Sequence, residues 1–279
     1  MQPCEVDQTL PAAAGDTAGA SARTVGQTIG RYRITGLIGA GGMGRVYRAI
    51  DPELRRDVAI KVLSDRRGID RDALRARLRR EAQAMAQLRH PNLASVYDVG
   101  EDGDAVYLAL EFIDGDSLST WARAQPRSAG ERLAVLLAAG RGLAAAHAAG
   151  VIHRDVKPDN VVVGRDGEVK VIDFGLAREL GAEAAVDVEA PTARPDQEDA
   201  LAVRLTQPGA LMGSPAYMAP EQHDGRDADA RADQYAFAVS AWELLAGQRP
   251  LVGETIAALG EAARAGALQP APAGSALTP

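Results

Sequence analysis

The chain has 279 residues, 46% of them hydrophobic, with a formal charge of −7 and a pI near 5.2. That acidic balance excludes a protein whose main task is gripping nucleic acid, and no stretch is apolar over the ~20 residues that span a bilayer. The single cysteine, Cys4, can form no internal disulfide, and an N-terminus carrying Glu5 and Asp7 lacks the order of a signal peptide, so a cytoplasmic protein is expected.

Residues 1–28 are rich in Ala, Gly, Thr and Ser and are expected to form a disordered tail. Tyr32–Ile38 reads as a strand running into Gly39-Ala40-Gly41-Gly42-Met43-Gly44, and Arg45–Ile50 reads as the returning strand. Glycines at such a tip let the backbone come close to a ligand. Asp57–Leu63 is a third strand. Asp70 to Arg89 is a helix with Leu74, Leu78, Met85 and Leu88 on one stripe, and Glu81 lies on that stripe. A carboxylate there either has a cationic partner or lies on a solvated part of the face.

Ser95–Val99 and Ala105–Phe112 read as two further strands. Ser128 to Glu131 fits a capping box that opens a helix to about Ala149, with Gly150 at its end. Val161–Val163 and Val169–Ile172 are short strands around the turn Asp166-Gly167. Residues 179–209 are polar and acidic, with Pro191, Pro195 and Pro208, and read as a long loop. Asp229 to Leu245 is a helix stopped by Gly247, and Thr255 to Ala265 is a further one. Strands first and helices afterwards point to an α+β chain in two unequal lobes.

A lone G-x-G-x-x-G is equally a dinucleotide fingerprint, but that reading wants a helix directly after the glycines, and Arg45 to Ala49 alternates as a strand. Other motifs follow in order. They are Val58-Ala59-Ile60-Lys61, His153-Arg154-Asp155-Val156-Lys157-Pro158-Asp159-Asn160, Asp173-Phe174-Gly175 and Gly213 to Glu221, ending Ala219-Pro220-Glu221. Over roughly Tyr32 to Pro250 the set resembles the eukaryotic-type protein kinase superfamily, bacterial serine/threonine kinases in particular.

The resemblance implies a two-lobed fold, with a small antiparallel sheet plus one main helix over 29–113 and a mainly helical lobe over 114–266. The activation segment would be 173–221, and 267–279 a Pro/Ala/Gly-rich tail. It implies an ATP- and Mg²⁺-dependent enzyme that phosphorylates Ser or Thr of proteins in signalling. The glycine loop, Ile38, Gly39, Ala40, Gly41, Gly42 and Gly44, would cover the phosphates. Val46, Ala59, Leu110 and Val162 would enclose the adenine, and the backbones of Glu111 and Ile113 would meet its edge. Lys61 would hold the phosphates and pair with Glu81, while Asp155 would take the hydroxyl proton and Lys157 would neutralise the transferring group. Asn160 and Asp173 would hold Mg²⁺.

His153 is implied as a packing residue, in a column with Phe174, Met85 and Val96, rather than a base. Asp233 would hold the catalytic-loop backbone, and Ser214 takes the place of a Thr that bonds the catalytic Asp and Lys. Thr192 and Thr206 are candidate self-phosphorylation sites whose phosphate would pair with Arg154, although Pro208 stands where relatives often carry a Thr. The large lobe is expected to lack its last helices, leaving Glu221 without an arginine partner. A kinase-shaped scaffold made inactive by that loss is the alternative reading.

Overall fold

β-branched and aromatic residues alternating with polar ones open the ordered chain. Thr28–Ile29 (β1), Tyr32–Gly41 (β2), Gly44–Asp51 (β3), Arg56–Leu63 (β4), Val96–Asp102 (β5) and Ala105–Glu111 (β6) form one antiparallel sheet, ordered β1-β2-β3-β4-β6-β5. The computed structural model describes residues 23–41, 44–63, 79–80, 82–103, 105–174 and 214–277. Gly42, Met43, Glu81, Gly175 and the 179–209 loop with Thr192 and Thr206 therefore lie outside the described residues. Order begins earlier than composition suggests. The Gly26 N–H donates to Ile34 O, and the Ile34 N–H donates to Gln27 O, both at 2.9 Å. Residues 23–28 thus belong to the fold, held by backbone pairing to β2 that side-chain composition does not reveal.

The register of β3, β4 and β6 sorts residues by face. Val46 pairs with Lys61, Arg48 with Ala59, and Ala59 with Leu110. With a side-chain period of two, these positions share one face, and Tyr47, Ala49, Val58, Ile60 and Ala109 share the other. The second set joins Ile29, Tyr32, Ile34 and Tyr107 in a buried cluster. A slip of one residue would bury Lys61 in that cluster and turn Ile60 toward the cleft, so the apolar pattern fixes where the lysine points.

Helical residues 79–80 and 82–86 (α1) bury Ala82 and Met85 in the main core. Gly115–Ser117 (β7), Val161–Gly164 (β8) and Val169–Val171 (β9) make a second antiparallel sheet. The helices of this part are Leu118–Ala124 (α2), Ala129–Ala148 (α3), Pro220–His223 (α4), Ala230–Ala246 (α5) and Ile256–Ala265 (α6). The capping box that opens α3 is closed in both directions, Ser128 Oγ accepting from Glu131 N and the Glu131 carboxylate accepting from Ser128 N at 2.8 Å. Asp229 caps α5, and Gly247, at φ 76°, ends it. After α6 the chain folds back on the end of α5, where Gln269 N donates to Pro250 O at 2.7 Å and Ala276 N to Leu245 O at 3.2 Å. Among the described residues no helix is long and apolar enough to cross a membrane.

Two kinds of glycine are distinguishable by space. A Cβ on Gly30 or on Gly100 would strike the buried Tyr107 ring, which is wedged between them, whereas a Cβ on Gly39 or Gly41 would meet nothing within 4 Å among the described residues. Gly100→Ala is expected to destabilise the fold by about 1–3 kcal/mol through overpacking. Gly41→Ala is expected to stay within about 0.5 kcal/mol of the parent. Urea unfolding of both variants checks the contrast.

Candidate active site

The site is assembled where the turn between α3 and β8 meets the cleft-facing side of the first sheet. Asp155 lies in that turn and is 8% exposed. Its carboxylate accepts from Lys157 Nζ at 2.7 Å and from Asn160 Nδ2 at 3.2 Å, and Asn160 Nδ2 also donates to Asp155 O at 2.7 Å. These bonds fix the Asn160 amide, with its nitrogen committed to Asp155. Asp173, two residues past β9, forms an ion pair with Lys61 of β4. Lys61 is 5% exposed, so this cation is held in the cleft rather than at the surface. Asp173 and Arg154 both adopt left-handed backbone conformations, at φ 62° and 65°, which non-glycine residues adopt only under constraint.

The constraint on Arg154 is the Asp233 carboxylate. It accepts from His153 N and Arg154 N, each at 2.7 Å, and it also contacts His147 Nε2 at 2.7 Å. Asp233 is 1% exposed, so its charge is carried by these bonds rather than by water. On the other side of the turn, Gln222 Nε2 donates to Arg154 O at 3.2 Å while its Oε1 accepts from Ala219 N at 3.0 Å. The segment Ser214–Tyr217 is a single 3-10 turn that leads into this contact.

Val46, Ala59 and Leu110 share the cleft face of the first sheet, and all three are half-buried apolar residues, as is Val162 on β8. Glu111 and Ile113 lie at the end of β6 and just beyond it. Ile38, Gly39, Ala40 and Gly41 run along the end of β2, and Gly44 opens β3. The structure therefore brings together the Asp155, Lys157 and Asn160 cluster and, through the bond from Ile172 N to Asn160 O at 2.9 Å, the segment that carries Asp173 with its Lys61 partner. The expected Lys61–Glu81 pair lies outside the described residues. Glu221 is only half-buried, in a cleft that also holds Arg226 and Arg231, so it does not carry the cost of a buried charge. Arg264 pairs with Asp224 at 2.9 Å instead. Sequence reasoning did not single out Gln222 or His147. Gln222 directly follows Glu221 and His147 lies on the mixed face of α3, so only the tertiary contact identifies either.

His153 is fully buried and its ring lies 4.6 Å from that of Phe174, in the core that also contains Met85 and Val96. Its Nε2 bonds Ile172 O at 2.9 Å, and its Nδ1 accepts from Asp155 N at 3.2 Å. Both ring nitrogens are thus committed in the neutral tautomer. Burial pushes the imidazole below its ordinary pKa, against the weaker opposite pull of Asp233, Asp155 and Asp173. The unfolded chain takes up a proton near pH 6.5 that the folded state refuses, so stability falls as pH drops below that value. The expected slope from this group approaches about 1.4 kcal/mol per pH unit. Urea unfolding at pH 7 and pH 5.5 should show the loss in the parent and a shallower slope in His153→Asn.

Donors of this kind, a carboxylate and an amide oxygen beside fixed cations, suit a divalent metal carried by phosphates. Comparison with known proteins agrees with the geometry. The protein kinase domain family model matches residues 32–269. Serine/threonine-protein kinase PknA of Mycobacterium tuberculosis is 40% identical over 237 residues, covering 82% of this chain and 50% of the relative. Serine/threonine-protein kinase PknL of the same organism is 38% identical over 226 residues, covering 81% and 51%. The chain thus spans about half the length of these curated relatives. Among solved structures, the kinase domain of M. tuberculosis PknI superimposes with a TM-score of 0.62 at 31% identity, covering 87% of each chain. The chain belongs to the protein kinase domain family, and its curated relatives are bacterial serine/threonine kinases.

Proposed function

We propose that this domain transfers the γ-phosphoryl group of ATP to Ser and Thr hydroxyls of proteins, with Mg²⁺ as the metal, in cytoplasmic signalling. What supports the reading is the Asp155 carboxylate held by Lys157 and Asn160, the Lys61–Asp173 ion pair, and the bond from Ile172 N to Asn160 O at 2.9 Å that joins the two groups. Phosphoryl transfer asks a protein for positioning and charge stabilisation rather than covalent chemistry. Asp155, its carboxylate already oriented, receives the proton as the hydroxyl oxygen bonds to phosphorus and the bond to ADP breaks. Lys157 stands beside it to offset charge on the transferring group. Lys61 serves the α- and β-phosphates, and its ion pair with Asp173 in the protein alone keeps both charges in place before nucleotide arrives.

Asp173 and Asn160 are the residues that would hold Mg²⁺. Among the described residues no cluster of three or more His, Cys, Asp or Glu side chains offers a protein cage for a metal. Two oxygens supplemented by phosphates and water are the usual arrangement for this ion. When bound, the metal supplies charge neutralisation across the phosphates. Val46, Ala59, Leu110 and Val162 are the residues that would enclose the base.

Asp155→Asn and Lys61→Met are each expected to lower turnover by at least ~10²-fold, the usual effect of removing one preorganised charge partner. Transfer of labelled phosphate from ATP to a generic basic protein, with and without Mg²⁺, measures this, and near-parental activity in either variant would refute the residue roles. Self-phosphorylation on Thr192 or Thr206 belongs to the same reading, since a phosphate there would add ~2 negative charges for Arg154 to pair with. Phosphopeptide mapping after incubation with ATP is expected to find one of them modified, and its absence from both would remove self-activation through this loop.

A further inference from the structure

The nucleotide reading uses only the backbone of Glu111, and its side chain is engaged elsewhere. Glu111 Oε1 accepts from Lys170 Nζ at 2.8 Å, and Oε2 accepts from Ser95 N at 2.9 Å. The Glu111 N–H donates back to Ser95 O at 2.9 Å. Glu111 ends β6 of the first sheet, Ser95 directly precedes β5, and Lys170 is the middle residue of β9 in the second sheet. One carboxylate therefore ties together the neighbouring strands β6 and β5 of the first sheet and the strand that leads, three residues on, to Asp173. The pair is largely removed from water, with side-chain exposures of 20% for Glu111 and 11% for Lys170.

Surrounding contacts reinforce this seam. Lys170 also lies 3.7 Å from Glu168, and the Arg56 guanidinium covers the Tyr97 ring beside it at 3.5 Å. Ala94 N donates to Val171 O at 3.0 Å, and Val171 N donates to Asn92 O at 2.9 Å. Beyond Glu111 the connection to β7 is irregular. Its Phe112 ring is covered from the first sheet by Arg48 at 4.5 Å, and Arg48 is itself oriented by Asp57 at 2.8 Å. The connection is thus anchored once from each sheet, by Arg48 on one side and Lys170 on the other. Burial alone would disfavour the charged Glu111, but the Lys170 and Ser95 bonds outweigh it and hold the carboxyl below its usual range. Neither Glu111 nor Lys170 belongs to an apolar cluster, so the pair adds geometry rather than core.

We propose that Lys170 is a positioning residue. By gripping the Glu111 carboxylate it fixes the connection between the two sheets, and so sets the spacing between the backbone edge at Glu111 and Ile113 and the Asp173 carboxylate. The ligand served by that spacing rests on the kinase reading above, whereas the grip itself does not. Losing one partner of a desolvated pair leaves an uncompensated charge, so the whole seam should loosen rather than a single bond.

The test uses the full chain with Lys170→Met, which keeps side-chain length without charge, and Lys170→Arg, which keeps the charge. In the nucleotide-free protein, amide exchange at Ser95 and Glu111 is expected to quicken by at least about tenfold in Lys170→Met, with Val58 and Ile60 of β4 unchanged. The dissociation constant for a fluorescent ATP analogue should rise about tenfold in the same variant, with saturated turnover within about twofold of the parent. Lys170→Arg should behave as the parent in all three measurements. Unchanged exchange and affinity in Lys170→Met would overturn the proposal, as would Lys170→Arg being equally impaired. Exchange that quickens at Ser95 and Glu111 in a protein whose parent transfers no phosphate would uphold the grip and condemn the kinase reading alone.

Discussion

The turn from His153 to Asp155 depends on one buried carboxylate. Asp233 is almost completely removed from water, and a charge in that position is tolerated only when donors surround it. Two of its donors are the successive backbone N–H groups of His153 and Arg154. Accepting from both requires Arg154 to take its left-handed conformation, which costs about 1–3 kcal/mol for a non-glycine residue. Charge-assisted hydrogen bonds contribute roughly 1.5–3 kcal/mol each, so two of them offset the strain. The result is a turn whose shape is set from beneath by α5, and Asp155 emerges from it already aimed. Helix capping serves the same end, because Asp229 starts α5 four residues before Asp233 and so fixes which residue reaches the turn.

Much of this was legible in the sequence, and for identifiable reasons. The resemblance of Val58-Ala59-Ile60-Lys61 to a family motif singled out Lys61, and the β3–β4 register turns it away from the buried cluster of the first sheet. The capping box at Ser128 and the glycine at 247 marked helix ends because they satisfy backbone groups that a helix leaves unpaired. The family resemblance implied that His153 packs rather than acts as a base, and it is buried against Phe174. Less legible were partners chosen by three-dimensional proximity. The ion pair of Lys61 with Asp173, 112 residues away, was not anticipated alongside the expected partner Glu81, which lies outside the described residues. Gln222 and His147 carry no local pattern, and the Glu111 side chain was invisible behind the role assigned to its backbone. The start of the fold was placed too late, because residues 23–28 are ordered by main-chain pairing that leaves no trace in side-chain type.

The electrostatics of the cleft share one design. Lys61 with Asp173, Lys157 with Asp155, and Lys170 with Glu111 are three lysine–carboxylate pairs, each joining residues of different roles. Each charge is balanced before a ligand enters, so none bears the full cost of desolvation alone.

The double grip of Gln222 has a consequence for chain continuity. Its amide joins Ala219 to the Arg154 carbonyl, while Asp233 on α5 holds the Arg154 amide from the other direction. The piece from 214 to 277 is therefore fastened to the turn at Arg154 by contacts that do not pass through the intervening covalent chain. Tyr217 is secured within the same piece, its hydroxyl donating to Glu243. A peptide bond severed between 175 and 213 would leave these contacts in place, with the turn at Arg154 in one fragment and the Asp233 carboxylate that shapes it in the other.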